Sequence, residues 1–188
     1  MRSRGLRVYL RPPRATDAEP FIRAVAASRS LHAPWVRPPG TPERFAAFQR
    51  RSGLGGSRDP LAATHAALLL CRRADDAIVG VFHLSEIVRG SFQNAYLGYY
   101  GFAPYEGQGY MSEGLELALR FAFRGLRLHR VEANVQPTNR RSLALVRRAG
   151  FVREGYSRAY LKVGGRWRDH VRMALTAEAW RRRHGPPG

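Results

Sequence analysis

Several scarcities in this chain of 188 residues narrow what it does. It has one cysteine, Cys71, so no internal disulfide forms, and no histidine–cysteine cluster with zinc spacing occurs, so no metal is expected. Cys71 lies in the apolar run Ala66 to Cys71, where a core thiol and a reducing, cytoplasmic compartment are the expectation. The one lysine is Lys162, and the absence of Gly-x-x-x-x-Gly-Lys-[Ser/Thr] excludes a Walker phosphate loop. No stretch approaches the roughly 18 uninterrupted apolar residues of a membrane span. No serine or cysteine sits in a nucleophile elbow, which argues against a covalent acyl-enzyme. Carboxylates are few as well: 14 Asp and Glu face 32 Lys and Arg, a formal net charge of +18. Such an excess suits a polyphosphate ligand or a surface close to RNA, although no RRM-type aromatic signature accompanies it.

What is present is organised around Tyr99 to Met111, where an apolar run ends in Gly107-Gln108-Gly109 and passes into the amphipathic run Ser112 to Phe123. Met111, Leu115, Ala118, Leu119, Ala122 and Leu126 recur at three- and four-residue spacing, so the run reads as a helix packed on a sheet. Glycines let the main chain turn tightly and let an anion approach without meeting a Cβ. The unpaired N–H groups and positive dipole end of the following helix then face that anion. The dinucleotide pattern Gly-x-Gly-x-x-Gly is excluded, because its third glycine would fall at Tyr110 or Ser112.

Along the rest of the chain, Leu6 to Arg11 alternates and reads as a first strand stopped by Pro12-Pro13. Thr16-Asp17-Ala18-Glu19 is a capping-box pattern opening a helix that carries Phe21, Ile22 and Val25. Thr41-Pro42 opens a second helix with Phe45 and Phe48 on one face and Gly53 as its expected end, followed by a glycine-rich connection to Pro60. His65 to Cys71 and Ala77 to Leu84 read as a hairpin about Asp75-Asp76, and Tyr96 to Phe102 as the next strand. After the central helix come a strand, Arg130 to Val135, and a helix from Asn139 to Arg148 ended by Gly150. Phe151 to Val163 and Trp167 to Leu175 form a hairpin about Gly164-Gly165. The expectation is one domain over residues 1–180, a mixed sheet with helices against it, and a basic, disordered tail over 181–188.

The element order, the Gly107-x-Gly109 turn and the helix from Asn139-x-x-Ser142 to Gly150-Phe151 together resemble the GNAT N-acetyltransferase superfamily. More narrowly, His129 to Ser142, Gly150 to Tyr156, Gly165 to His170 and Val88 to Phe92 resemble the RimJ/RimL-type ribosomal-protein-alanine N-acetyltransferases. The resemblance implies an α/β fold whose central, mostly antiparallel sheet has helices on both faces. It also implies acetyl-CoA as donor, an amine as acceptor and direct transfer in a ternary complex. The implied acceptor is a protein N-terminus, most specifically that of a ribosomal protein. A small amine (antibiotic, polyamine or amino acid) is the alternative, and a non-catalytic ribosome- or RNA-associated module a third reading. Oligomeric state is left open.

For the cofactor, the resemblance implies main-chain donors from Tyr105 through Gly107, Gln108 and Gly109 to Tyr110, preceded by Phe102. The family's arginine or glutamine at the start of this turn is Pro104 here, and Glu106 beside a pyrophosphate must point outward. Asn139 would meet the pantetheine arm or the helix-end carbonyls, or simply start the helix with its side chain on the backbone, and Ser142 would meet the cofactor. The tyrosine that many relatives place on this helix is Val146, which leaves Ser142 as the candidate proton donor to the departing thiolate. For the base, Glu86, Glu132 and a water relay stay open. An α-amino group, with a reference pKa of about 7.7–8.0, needs little help, unlike a lysine near 10.4. Trp35, Arg89, Phe92 and Tyr99 are the acceptor-pocket candidates.

Overall fold

The computed structural model describes residues 3–52 and 60–185. Eight strands form one sheet in the order β1-β2-β3-β4-β5-β6-β8-β7. They are β1 (Ser3–Arg4), β2 (Val8–Arg11), β3 (Ala66–Arg72), β4 (Ile78–Val88), β5 (Asn94–Gly101), β6 (Arg130–Val135), β7 (Val152–Val163) and β8 (Arg166–Thr176). Every neighbouring pair is antiparallel except β5 and β6. That parallel pair needs a crossover, supplied by α4 (Tyr110–Arg120) and a π turn over Phe121–Gly125. The remaining helices are α1 (Ala18–Ala27), α2 (Arg29–His32), α3 (Pro42–Arg51), α5 (Arg140–Arg148) and α6 (Ala177–His184).

Two cores follow from the two sheet faces. Phe21, Val25 and Phe45 of α1 and α3 pack with Leu69, Val81 and Tyr100 on one face. Leu115 and Leu119 of α4, Val146 of α5 and Trp180 of α6 pack with Leu70, Phe82 and Val131 on the other. The mixed sheet with helices on both faces is therefore as the sequence implied. Cys71 is a buried free thiol of the core. Among the described residues, no helix is long and apolar enough to cross a membrane, and no cluster of ligating side chains suits a metal.

Three local readings are corrected. The strand expected over Leu6 to Arg11 is β2 and begins at Val8, with Leu6 exposed in the turn that joins it to β1. The capping interaction falls two residues early: Asp17 accepts the Arg14 N–H at 2.6 Å and is buried against Arg11, so α1 begins at Ala18 rather than at a Thr16 cap. The tail is ordered through His184, because Thr176 caps α6 and Trp180 is buried with His184 stacked on it. The glycine-rich connection and the Gly53 helix end fall in residues 53–59, outside the described residues; α3 itself runs to Arg51.

Candidate active site

β5 and β6 pair only through Asn94↔Arg130, Ala95↔Val131 and Tyr96↔Glu132. Both strands continue, to Gly101 and Val135, each held on its outer edge by β4 or β8. They splay, and the inner main-chain edge of Leu97 to Gly101 is left without a strand partner. The opening is a cleft of about 1850 Å³ that reaches both sheet faces. Alternation sends Leu97 and Tyr99 toward α4 and α5, and Gly98 and Tyr100 toward the face of α1 to α3.

At the end of β5 the chain turns through Phe102 to Gly109. Phe102 is buried, its ring edge-on to Phe21, His32 and Tyr100. The Tyr105 N–H is already used, donating to the Phe102 carbonyl at 3.0 Å. The N–H groups of Glu106, Gly107, Gln108, Gly109 and Tyr110 donate to no protein acceptor among the described residues. Gly107 and Gly109 have φ of +76° and +80°, a conformation that strains any residue with a Cβ, and Gly109 opens α4. The result is a concave run of donors at a helix N-terminus, suited to an anion. Arg7 braces it: Nη1 donates to the Gln108 carbonyl at 3.0 Å, Nε to Glu113 at 3.1 Å, and the guanidinium lies over the Tyr110 ring. Gln108 turns its side chain back to the Pro104 carbonyl at 3.0 Å and does not line the cleft. Glu106 is ion-paired with Arg141 at the start of α5, which removes its repulsion toward an anion.

Across the cleft, Asn139 caps α5, its Oδ1 accepting the Ser142 N–H at 3.1 Å. Ser142 Oγ lies 2.5 Å from the Tyr99 hydroxyl. Burial pushes the Tyr99 phenol up to about 12 despite the opposing Ser142 contact. Val146 is fully buried in the core.

On the opposite face the cleft is lined by Trp35, His32, His83, Asn134 and His170. His83 stands across from Gly98, and a Cβ added to Gly98 would lie 2.1 Å from its ring. The ring therefore lies against the bare β5 main chain, and neither nitrogen has a hydrogen-bond partner among the described residues. Burial, reinforced by the nearby His65, holds His83 down to about 4, hence neutral near pH 7. His32 Nε2 meets the Gly101 carbonyl at 2.7 Å, leaving Nδ1 buried and unpartnered, as is Asn134 Oδ1. Sequence reasoning missed His83, His32, Asn134 and His170. The available signal was polar residues interrupting apolar strands at His83 and Asn134.

Of the acceptor candidates, Trp35 lines the cleft, and Tyr99 lines it from the helical side. Arg89 and Phe92 lie at the other end of the sheet, beyond the Val88↔Asn94 pair. Arg89 is tied to the Leu126 and Leu61 carbonyls at 2.6 and 3.1 Å, and Phe92 is 69% exposed. Neither base candidate reaches the cleft. Glu86 sits in a bulge at that far end, 3.6 Å from His65. Glu132 is held at 2.8 Å by Arg130, which also pairs with Glu154.

A model of the acetyltransferase (GNAT) domain matches residues 7–152. The ribosomal protein uS5-alanine N-acetyltransferase of Escherichia coli strain K12 is 47% identical over 103 residues, 55% of this chain and 53% of that protein. The chain thus spans about half the length of that relative. A Bacillus subtilis protein named "Probable N-acetyltransferase YjcK" is 31% identical over 180 residues, 92% of this chain and 95% of its own. The solved structure of Mycobacterium smegmatis RimJ in complex with CoA-disulfide superposes with a TM-score of 0.81 at 28% identity, covering 91% of this chain and 82% of that one.

Proposed function

The chain belongs to the GNAT acetyltransferase family, and from that premise we propose that it transfers the acetyl group of acetyl-CoA to the α-amino group of a protein N-terminus, most specifically that of a ribosomal protein. The observation that carries the reading is the run of free N–H groups from Glu106 to Tyr110 at the mouth of a cleft reaching both sheet faces. Donor and acceptor enter from opposite faces and meet at the splayed β5 edge. Acetyl-CoA supplies the activated acyl group; the chain holds its phosphates on that turn and polarises the acyl carbonyl with an inner-edge N–H of β5. Ser142 stands on the donor side and assists departure of the sulfur. Among the described residues Glu106, paired with Arg141, is the one carboxylate lining the cleft, and an α-amine has little need of a carboxylate base.

The lining of the cleft favours a peptide over a polyamine. Among the described residues, six cationic side chains, Arg37, Arg51 and Lys162 included, line it against one carboxylate, Glu106, which Arg141 already neutralises. A polycation would meet repulsion without a counter-charge, whereas an N-terminus brings one amine that reacts neutral. The E. coli relative named for uS5 alanine supports the same acceptor class, and with it the cytoplasm as compartment.

The test is thiol release from acetyl-CoA with peptides bearing free N-terminal Ala, Ser or Met, N-blocked lysine peptides, and polyamines. Turnover is expected on free Ala and Ser termini, and Ser142→Ala should lower kcat. Turnover confined to polyamines or to blocked lysine peptides overturns the acceptor assignment, and acetyl-CoA binding without any turnover overturns the enzymatic one.

A further inference from the structure

We infer that Tyr99 is a positioning residue for the leaving sulfur, acting through Ser142: its hydroxyl donates to Ser142 Oγ and so turns the serine O–H into the cleft. The inference rests on the acetyl-CoA reading above. α5 carries no tyrosine and turns Val146 into the core, so it offers no phenol. The strand facing it does. Tyr99 lies beyond Tyr96↔Glu132, the last pair before β5 and β6 diverge, and so in the part of β5 that borders the cleft. Its ring packs on Phe82 with centroids 5.9 Å apart, which fixes the direction of the hydroxyl. That hydroxyl reaches Ser142 Oγ at 2.5 Å and the Ser142 carbonyl only at 3.3 Å.

A serine in the first turn of a helix readily bonds back to the main chain, where its O–H is of no use to a ligand. Either hydroxyl can donate in the 2.5 Å contact; with Tyr99 as donor the acceptor side of Ser142 Oγ is filled, and Asn139 holds the Ser142 main chain. The serine proton is then free to point at the sulfur. With the phenol pushed up to about 12, Tyr99 keeps its proton at every pH at which the amine reacts. A thiol titrates near 8.5, so the pair lends a hydrogen bond rather than a proton. The neutral amine nitrogen attacks the acyl carbon and forms the C–N bond; as the C–S bond breaks, its electron pair goes to sulfur and the Ser142 O–H stabilises the anion. The amine gives its proton to water, and the thiolate takes one from water.

Tyr99→Phe removes the hydroxyl and keeps the ring. With acetyl-CoA it should lower kcat about tenfold, the size of one lost hydrogen bond to a charge, while KM and the calorimetric Kd for CoA stay within about twofold. Ser142→Ala should lose as much or more, and the double variant no more than Ser142→Ala. An acetyl thioester of a more acidic aromatic thiol should erase most of the Tyr99→Phe deficit, because that leaving group needs less stabilisation. Ring-carbon NMR of labelled tyrosine reads the contact without turnover, and the Tyr99 signal should move in Ser142→Ala. Full kcat in Tyr99→Phe, an equal deficit with both thioesters, a loss traced to CoA affinity, or an unmoved Tyr99 signal each overturns the inference. Failure of the acetyl-transfer reading shows differently, as wild-type protein that releases no thiol with any acceptor.

Discussion

Arg11 and Asp17 form a buried ion pair through two contacts of 2.6 Å, and the same carboxylate accepts the Arg14 N–H. Removing one member strands the other charge away from water. Asp17→Ala is therefore expected to cost about 3–5 kcal/mol in urea unfolding; a loss under about 1 kcal/mol would mean that water reaches Arg11. His83 makes a second prediction at this scale. Its folded pKa of about 4 lies below the ordinary 6.5, so the unfolded chain binds the proton more readily. Its contribution to stability is complete above about pH 6.5 and is lost as the pH falls toward 4, by up to about 3 kcal/mol. His83→Gln should flatten that part of the stability–pH curve, and an unchanged slope would assign it to other groups. Neither feature was legible residue by residue. Asp17 read as part of a cap and His83 fell within the Ala77 to Leu84 strand without being singled out, because each depends on a partner brought in by folding.

Elements were more legible, since periodicity and turn chemistry act locally. The β3–β4 hairpin, the Gly164-Gly165 hairpin, the Thr41-Pro42 helix start and the amphipathic α4 lie where the pattern put them. Two glycines at the ends of one seam predict opposite phenotypes. Gly114 of α4 faces the sheet, and an added Cβ would lie 2.7 Å from Leu70 and Phe82. Gly114→Ala should lower stability by about 1–3 kcal/mol through overpacking, despite the better helix propensity of alanine, with CoA affinity retained. At Gly107 an added Cβ meets nothing within 4 Å, but φ is +76°. Gly107→Ala should cost only about 1 kcal/mol of stability while weakening CoA binding measured by calorimetry, because the methyl group enters the approach to the donors. Equal effects of the two variants on affinity would separate the turn from the phosphate site.

At the scale of the whole molecule, the charge of +18 is not cancelled by folding. Carboxylates such as Asp17, Glu106, Glu113 and Glu132 are each held by an arginine, so the surplus arginines define the outer field. If the acceptor is a basic ribosomal protein, as proposed above, ribosomal RNA beside it supplies the opposite charge. Affinity for an unstructured RNA should then fall linearly on a log–log plot against salt, and salt-independent binding would contradict a purely electrostatic surface. The sequence by itself determined the class of fold, the glycine turn into α4, the Thr41-Pro42 helix start and the charge, because each depends on residues near one another in the chain or on composition. The tertiary structure alone decided where β5 and β6 stop pairing, that Tyr99 meets Ser142 and Glu106 meets Arg141, and that Glu86 and Arg89 stand at the far end of the sheet. Those facts depend on strand order and register between segments tens of residues apart, which no local pattern encodes.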